Sequence, residues 1–258
     1  MAALALVLWP FITMALFAML GPARGLIWAV SVGYLFLPEN YGFDLPGLPP
    51  YSKLSALSIS LLFGLLVAGR DHDASRLKLS DRRFRTILLS LMGLLFLSAL
   101  FTVLTNTSSV SIGAVVRPGL SLRDITAMTS EMIMVLVPFF LGWLWLSEPE
   151  RHKELLICIV ILGTAYTFLA LFEIRMSPQL HRWVYGYFQH SWVQHLRGGG
   201  FRPIIFLRHG LWLGFFLFMI VIAAFALAKS DDVKNRALFA AIGIWSCLVL
   251  LLSHNLGA

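Results

Sequence analysis

The sequence has few charged residues for its length. Only 13% of its 258 residues are Asp, Glu, Lys or Arg, and 59% are hydrophobic, whereas a soluble domain usually carries about 25% charge. Long apolar runs recur from one end of the chain to the other, and such runs cross a bilayer as helices. The composition therefore excludes a soluble globular protein and predicts an all-α, polytopic bundle of transmembrane helices.

Cysteine is also scarce. Cys158 and Cys247 both lie inside apolar runs, so the sequence offers neither a disulfide framework nor a CxxC metal motif. We predict no metal site and no cofactor. The net charge of +7 is typical of the basic loops of a membrane protein. Because no soluble domain is present to offer a basic face, nucleic acid is not expected as a partner.

Acidic residues are nearly absent from the apolar runs. Glu131 lies within one run, and Glu173 lies at the end of another. Proton-coupled transporters usually place acidic or histidine side chains within their membrane spans, so this scarcity argues against that class. We expect Glu131 to face the interior of the bundle and to form hydrogen bonds there.

The apolar runs predict about eight spans in a single integral membrane domain that covers residues 1–258. The expected helices are 2–20, 25–37, 54–69, 86–105, 126–146, 155–172, 209–228 and 237–252. The chain stops as the last run finishes, and we expect it to be an N-terminal fragment of a longer protein.

The distribution of basic residues predicts the orientation of these helices. The segment 70–85 carries six Lys or Arg residues, and basic loops tend to stay in the cytoplasm. Alternation from there places three further segments on the cytoplasmic side: 21–24, 147–154 and 229–236. It places Met1 and three segments on the outer side: 38–53, 106–125 and 173–208.

The outer segment 173–208 departs from this distribution because it carries five arginines and several aromatic residues. The arginines are Arg175, Arg182, Arg197, Arg202 and Arg208. Apolar and aromatic residues of 179–196 recur every four positions, which predicts a helix lying in the outer membrane interface. Three glycines, Gly198 to Gly200, follow, and glycine there would expose backbone N–H groups to a ligand.

Arg202, Arg208 and His209 are the strongest candidates for a binding site. The planar guanidinium of arginine donates two hydrogen bonds to a phosphate and stays charged. Arg208 also lies at the start of a predicted span, where the helix dipole favours an anion. These features fit a lipid-linked diphosphate. The alternative is that the arginines contact phospholipid headgroups, and we favour that interpretation for Arg175 and Arg182.

The segment GGFRPIIFLRHG at 199–210 resembles the O-antigen ligase and polymerase superfamily of bacterial envelopes. In that family, an outer-face motif begins with arginine and reaches a polar residue at the start of the next span, and Arg202 and His209 match these two positions. The segments LPGLPPYSK at 45–53 and RPGLSLRD at 117–124 are also similar to the family.

The resemblance implies a metal-independent membrane glycosyltransferase that acts on the periplasmic face of the bacterial inner membrane. It would take a glycan from an undecaprenyl diphosphate carrier and pass it to a lipid A core or a growing polysaccharide. Arg202 would bind the diphosphate and stabilise the departing charge, and His209 would act as a base or a positioning group. Assistance in binding would come from Arg197, Gly199, Gly200 and Arg208.

Two further interpretations of the sequence remain open. The protein could be a flippase or transporter for lipid-linked glycans, in which the arginines only recruit the diphosphate. It could also be a non-catalytic membrane subunit of polysaccharide assembly. In each interpretation the expected partners are membrane lipids and a lipid-linked glycan.

Overall fold

The computed structural model describes residues 1–44, 50–68, 82–113, 115–197 and 200–254. This part of the chain is mostly helical, which confirms the predicted all-α class. The helices are α1 (Ala2–Leu20), α2 (Pro22–Phe36), α3 (Lys53–Ala68), α4 (Arg82–Thr105), α5 (Leu122–Trp145), α6 (Pro149–Met176), α7 (Leu180–Tyr185), α8 (Gly210–Lys229) and α9 (Arg236–Leu252).

The strands of the described residues form only short antiparallel hairpins. The pairs are β1 (Gly42–Phe43) with β2 (Tyr51–Ser52), β3 (Val110–Ile112) with β4 (Val115–Arg117), and β5 (Leu196–Arg197) with β6 (Gly200–Phe201). Each hairpin lies in a connection between helices. These hairpins are therefore part of the loops between helices, and they do not form a second layer on the bundle.

Among the described residues, five helices are long and apolar enough to cross a membrane: α1, the Arg85–Thr105 part of α4, α5, α6 and α8. Two more, α3 and α9, are apolar but shorter. Helix α2 has 15 residues, a length of about 22 Å at the usual rise per residue. The chain is thus a helical membrane protein, and eight complete spans remain a prediction.

Glycine lets the central helices approach one another closely. A Cβ atom at Gly33 in α2 would lie 2.3 Å from Leu57 Cδ2 in α3. A Cβ atom at Gly163 in α6 would lie 2.3 Å from Ile220 Cγ1 in α8. Small residues at such crossings are typical of membrane helix packing. They bring α6 and α8 together, and the core between these two helices continues into residues 205–207.

Contacts place the predicted cytoplasmic segments at one end of the bundle. Arg24 forms an ion pair of 2.7 Å with Glu154, and Lys153 Nζ donates to the carbonyl of Asp232 at 3.2 Å. These bonds join 21–24, 147–154 and 229–236, which we call the basic end. The segment 70–81 lies outside the described residues. That the basic end faces the cytoplasm remains a prediction.

Two of the three predicted outer segments, 38–53 and 173–208, meet at the opposite end. Lys53 pairs with Glu39 at 2.7 Å, and Asn40 Nδ2 donates to the carbonyl of Gln189 at 2.6 Å. Tyr51 donates its hydroxyl hydrogen to the carbonyl of Leu6 at 3.2 Å, which brings the start of α1 to the same end. These contacts bring 38–53, 173–208 and the start of α1 together, and that this end faces the periplasm remains a prediction.

Two expectations from the sequence are wrong. The interfacial helix predicted over 179–196 stops at Tyr185 because Gly186 adopts a left-handed conformation with φ of 89° and ends the helix as a C-cap. Only a short 3₁₀ turn, Trp192–His195, follows within that range. Glu131 is exposed on α5, so it does not face the interior of the bundle.

Candidate functional site

A polar layer covers the end of the bundle opposite the basic end. We call this layer the cap and define it as residues 37–44, 50–52, 177–197 and 200–209. Three tyrosine hydroxyls donate to carbonyls at or just after the end of α2, where helix carbonyls lack partners within the helix. Their donor–acceptor pairs are Tyr166 with Leu35, Tyr185 with Phe36 and Tyr187 with Glu39. Tyr185 joins the cap to α2, Tyr166 joins α6 to α2, and Tyr187 bonds within the cap.

Glu173 holds the cap to the end of α6. Its carboxylate is fully buried and accepts three backbone hydrogen bonds. Oε1 accepts from the N–H of Leu180 at 3.1 Å. Oε2 accepts from the N–H groups of Ile204 and Ile205 at 2.9 and 2.8 Å. One side chain therefore fixes both the start of α7 and the backbone that follows Arg202.

The backbone at Ile205 is strained. Its φ is 57°, a left-handed value that is a true outlier for a β-branched residue and costs about 1–3 kcal/mol. The amide of Gln189 donates to the carbonyls of Ile205 and Leu207 at 2.9 and 3.2 Å, and Glu173 binds the N–H of Ile205. Such strain persists only where surrounding contacts impose it, and it occurs often at functional sites.

Arg202 lies buried beside the first residue of α8. Only 6% of its surface is exposed. A Cβ atom at Gly210 would lie 2.6 Å from Arg202 Nε and 2.8 Å from its Cδ, so the glycine leaves space for the guanidinium stem. The N–H of Arg202 donates to the carbonyl of His195 at 2.8 Å. The residue is thus fixed by its backbone as well as by its side-chain packing.

Three imidazole rings lie around this position. The ring centroids of His190 and His209 are 4.7 Å apart, those of His190 and His195 are 5.3 Å apart, and those of His195 and His209 are 6.3 Å apart. Arg202 lies close enough to His195 for its charge to act on that ring. We call these four residues the His–Arg cluster.

His195 carries a free lone pair inside the cap. Its Nδ1 lies 3.1 Å from the carbonyl of Arg202. A carbonyl only accepts hydrogen bonds, so Nδ1 must carry the proton and Nε2 a lone pair. Nε2 is buried and has no hydrogen-bond partner among the described residues. Burial, assisted by the charges of His190, His209 and Arg202, lowers the pKa of His195 to about 4, so the ring is neutral at pH 7.

His209 has the opposite arrangement. It is the N-cap of α8, and its Nδ1 accepts from the N–H of Leu211 at 3.0 Å. In the neutral ring the proton then lies on Nε2. The lone pair that a general base needs is already occupied by the helix cap. Of the two roles proposed from the sequence, the geometry favours positioning over proton abstraction.

The other residues proposed from the sequence are placed differently. Arg208 is exposed directly before the N-cap of α8, and Gly200 is half-buried in β6. Gly199 and the side chain of Arg197 lie outside the described residues. Arg175 and Arg182 are exposed, as headgroup contact would require, and that role remains a prediction.

The structure gives roles to four residues for which the sequence predicted none: Glu173, Gln189, His190 and His195. The only signal for the histidines was their number within one short segment. The β5–β6 hairpin brings His195 against Arg202, and local spacing does not predict such a pairing. For Glu173 and Gln189 the partners lie far along the chain.

The cluster suits an anion better than a metal cation. Within the described parts of the chain, no group of three or more His, Cys, Asp and Glu side chains could hold a metal ion. The fixed positive charge of Arg202 beside the imidazoles would repel a cation. The same charge, together with the N-terminus of α8, attracts an anion.

Comparison of the chain with protein-family models, with curated proteins and with solved structures gives no match. The residues of the cap and the resemblance of 199–210 therefore provide the evidence for function.

Proposed function

We propose that the protein is a membrane glycosyltransferase of the O-antigen ligase and polymerase type. It would remove a glycan from an undecaprenyl diphosphate carrier at the periplasmic face of the bacterial inner membrane. The acceptor would be a lipid A core sugar or a growing polysaccharide. The observation that carries the proposal is the buried guanidinium of Arg202 within the His–Arg cluster, beside the N-terminus of α8.

Arg202 has the chemistry that this reaction needs. In the transfer, the bond between the sugar C1 and the diphosphate oxygen breaks, and the diphosphate keeps the electron pair. The acceptor oxygen forms the new bond to C1 and loses its proton to a base. A buried, permanently charged group stabilises the negative charge on the leaving diphosphate more strongly than the same group in water.

Arg208 complements Arg202 from the surface of the cap. Because it is exposed at the N-terminal end of α8, it could meet an approaching diphosphate before the inner guanidinium does. The helix dipole adds to this attraction. The assisting roles of Arg197, Gly199 and Gly200 depend on the family resemblance alone.

The described acids offer little to a proton-coupled flippase. Glu173 is the buried acid of α6, and both of its oxygens are occupied by backbone N–H groups. A carboxylate that holds the fold together in this way is poorly suited to load and release protons. This observation favours the transferase over the transporter.

The proposal is tested by replacing Arg202 with lysine and with alanine in cells that lack the native protein. Lysine keeps the charge but loses the two-pronged hydrogen-bonding geometry. Arg182→Lys is the matched control, because Arg182 is an exposed arginine of the same outer segment. Surface polysaccharide and lipid-linked precursor are then measured together.

We expect both Arg202 variants to lower surface polysaccharide by at least about tenfold, since charged hydrogen bonds contribute about 1.5–3 kcal/mol, and to accumulate precursor on the periplasmic face. Accumulation on the cytoplasmic face would identify a flippase instead. Normal polysaccharide in the Arg202→Ala cells would refute the assignment of Arg202. The Arg182→Lys cells should match the wild type.

A further inference from the structure

His195 and His181 are both buried histidines of the cap, and only one of them has all its ring nitrogens paired within the described residues. His181 Nδ1 donates to the carbonyl of Tyr187 at 2.9 Å, and its Nε2 accepts from the N–H of Glu39 at 3.4 Å. His195 Nδ1 donates to Arg202, but its Nε2 has no partner in that part of the chain. The hydrogen bonds of His181 therefore account for both of its ring nitrogens, whereas those of His195 account for only one.

Gln189 presents a second acceptor of the same kind. Its side chain is 4% exposed, and its amide nitrogen donates to two carbonyls. Its Oε1 is buried and lacks a hydrogen-bond partner among the described residues. Gln189 adjoins His190, whose ring lies 5.3 Å from that of His195. The side chains of Gln189 and His195 are both bonded to the backbone of 202–207, and each leaves one acceptor that needs a donor.

The chemistry of these two atoms restricts the ligand. An unsatisfied buried acceptor destabilises the protein, and a ligand with a suitable donor would recover that loss. An ionised diphosphate has acceptor oxygens only, so the anion attracted by Arg202 cannot supply that donor. A metal cation is opposed by the charge of Arg202. A neutral group with hydroxyl hydrogens fits both requirements.

We propose that His195 Nε2, together with Gln189 Oε1, accepts hydrogen bonds from the hydroxyl groups of a sugar. His195 is a binding residue for the sugar, and Arg202 is the binding residue for the phosphate. The inference rests on the proposed function, because it places a sugar beside the diphosphate of a lipid-linked glycan. It adds the residues that would recognise that sugar.

The test measures binding to the purified protein in nanodiscs. The probes are farnesyl diphosphate, farnesyl diphosphate that carries glucose, and a free glucose oligosaccharide that represents an acceptor. We expect the wild type to bind the glucose-bearing diphosphate at least about tenfold more tightly than farnesyl diphosphate. If the oligosaccharide alone depends on His195, the recognised sugar belongs to the acceptor.

Two substitutions separate the ring's structural bond from its free acceptor. His195→Asn keeps an N–H group near the position of Nδ1, so the bond to the Arg202 carbonyl persists while the acceptor is lost. His195→Gln places an amide oxygen near the position of Nε2. We expect the first variant to lose the preference for the sugar and the second to keep it within about threefold.

A measurement on the wild type keeps the inference testable if a variant does not fold. Replacing each glucose hydroxyl in turn by fluorine removes the hydrogen-bond donor, and at least one position should abolish the tenfold preference. The inference is overturned if no fluorinated probe loses affinity, or if folded His195→Asn keeps the preference. Failure of farnesyl diphosphate itself to bind would instead contradict the proposed function.

Discussion

At the scale of single residues, two histidines of the cap have opposite hydrogen-bonding states. His195 donates through Nδ1 to a carbonyl and keeps a lone pair on Nε2. His209 accepts through Nδ1 from a backbone N–H and keeps the proton on Nε2. The backbone partner of each ring determines which nitrogen carries the proton. A ligand at the His–Arg cluster would therefore meet His195 Nε2 as an acceptor with a fixed role.

The depressed pKa of His195 predicts that acid destabilises the cap. Burial lowers its pKa from 6.5 to about 4, so the unfolded chain takes up the proton first as the pH falls. Stability is then fully present above about pH 6.5 and is lost progressively as the pH falls towards 4. Burial also lowers the pKa of His181, so that ring contributes in the same direction.

Thermal unfolding in detergent at about pH 7.5 and about pH 4.5 measures this effect. The wild type should lose more stability between the two values than His195→Asn, which has no titrating ring at that position. His181 should cause a residual loss in both proteins. Equal losses in the two proteins would show that His195 does not titrate as argued.

At the scale of elements, Glu173 joins three pieces of the structure that are distant in sequence. Its carboxylate connects the end of α6 to the start of α7 and to the strained backbone at Ile205. That backbone follows Arg202 by only a few residues. The position of the guanidinium therefore depends on a carboxylate that lies outside the His–Arg cluster.

Glu173→Gln should destabilise the protein and weaken diphosphate binding. An amide has one acceptor oxygen, so at least one of the three backbone N–H groups loses its partner, at a cost of about 1–3 kcal/mol. The thermal midpoint should fall, and the folded variant should bind farnesyl diphosphate more weakly because Arg202 is displaced. Glu131 is an exposed acid of α5, so Glu131→Gln should change neither the thermal midpoint nor the affinity for farnesyl diphosphate. A Glu173→Gln variant as stable as Glu131→Gln would remove Glu173 from this role.

At the scale of the whole molecule, the bundle has two chemically different ends. The basic end is joined by an ion pair and a hydrogen bond between short connections. The cap is a longer, folded layer fixed by half-buried tyrosines and by the buried Glu173. The four residues of the His–Arg cluster all lie in the cap, at one of these two ends. The division into two ends thus agrees with a reaction at one face of a membrane.

The helices could be predicted from the sequence because hydropathy is a local property. Helix α1 begins and ends where its apolar run predicts. Helix α6 was predicted over 155–172 but extends over Pro149–Met176. The helix continues through polar residues at both ends of the apolar run. An apolar run predicts the part of a helix that crosses the membrane and not the full length of that helix.

The candidate site could be predicted only in part. The resemblance links Arg202 with His209 through one motif, but the helix of that segment begins only at Gly210, so helical spacing does not bring the two residues together. Arg202 comes close to His209 instead because its side chain packs against Gly210. His195 and Glu173 form side-chain hydrogen bonds to backbone groups that lie elsewhere in the sequence. A local pattern in a single sequence does not predict such bonds.

The most direct test of the central claim is the affinity of farnesyl diphosphate for the purified protein in nanodiscs. Arg202→Gln should bind at least about tenfold more weakly than the wild type, because hydrogen bonds to charged groups contribute about 1.5–3 kcal/mol. Arg175→Gln, which removes an exposed arginine near the same end, should stay within about threefold of the wild type. Equal affinities for folded Arg202→Gln and the wild type would contradict a diphosphate site at Arg202.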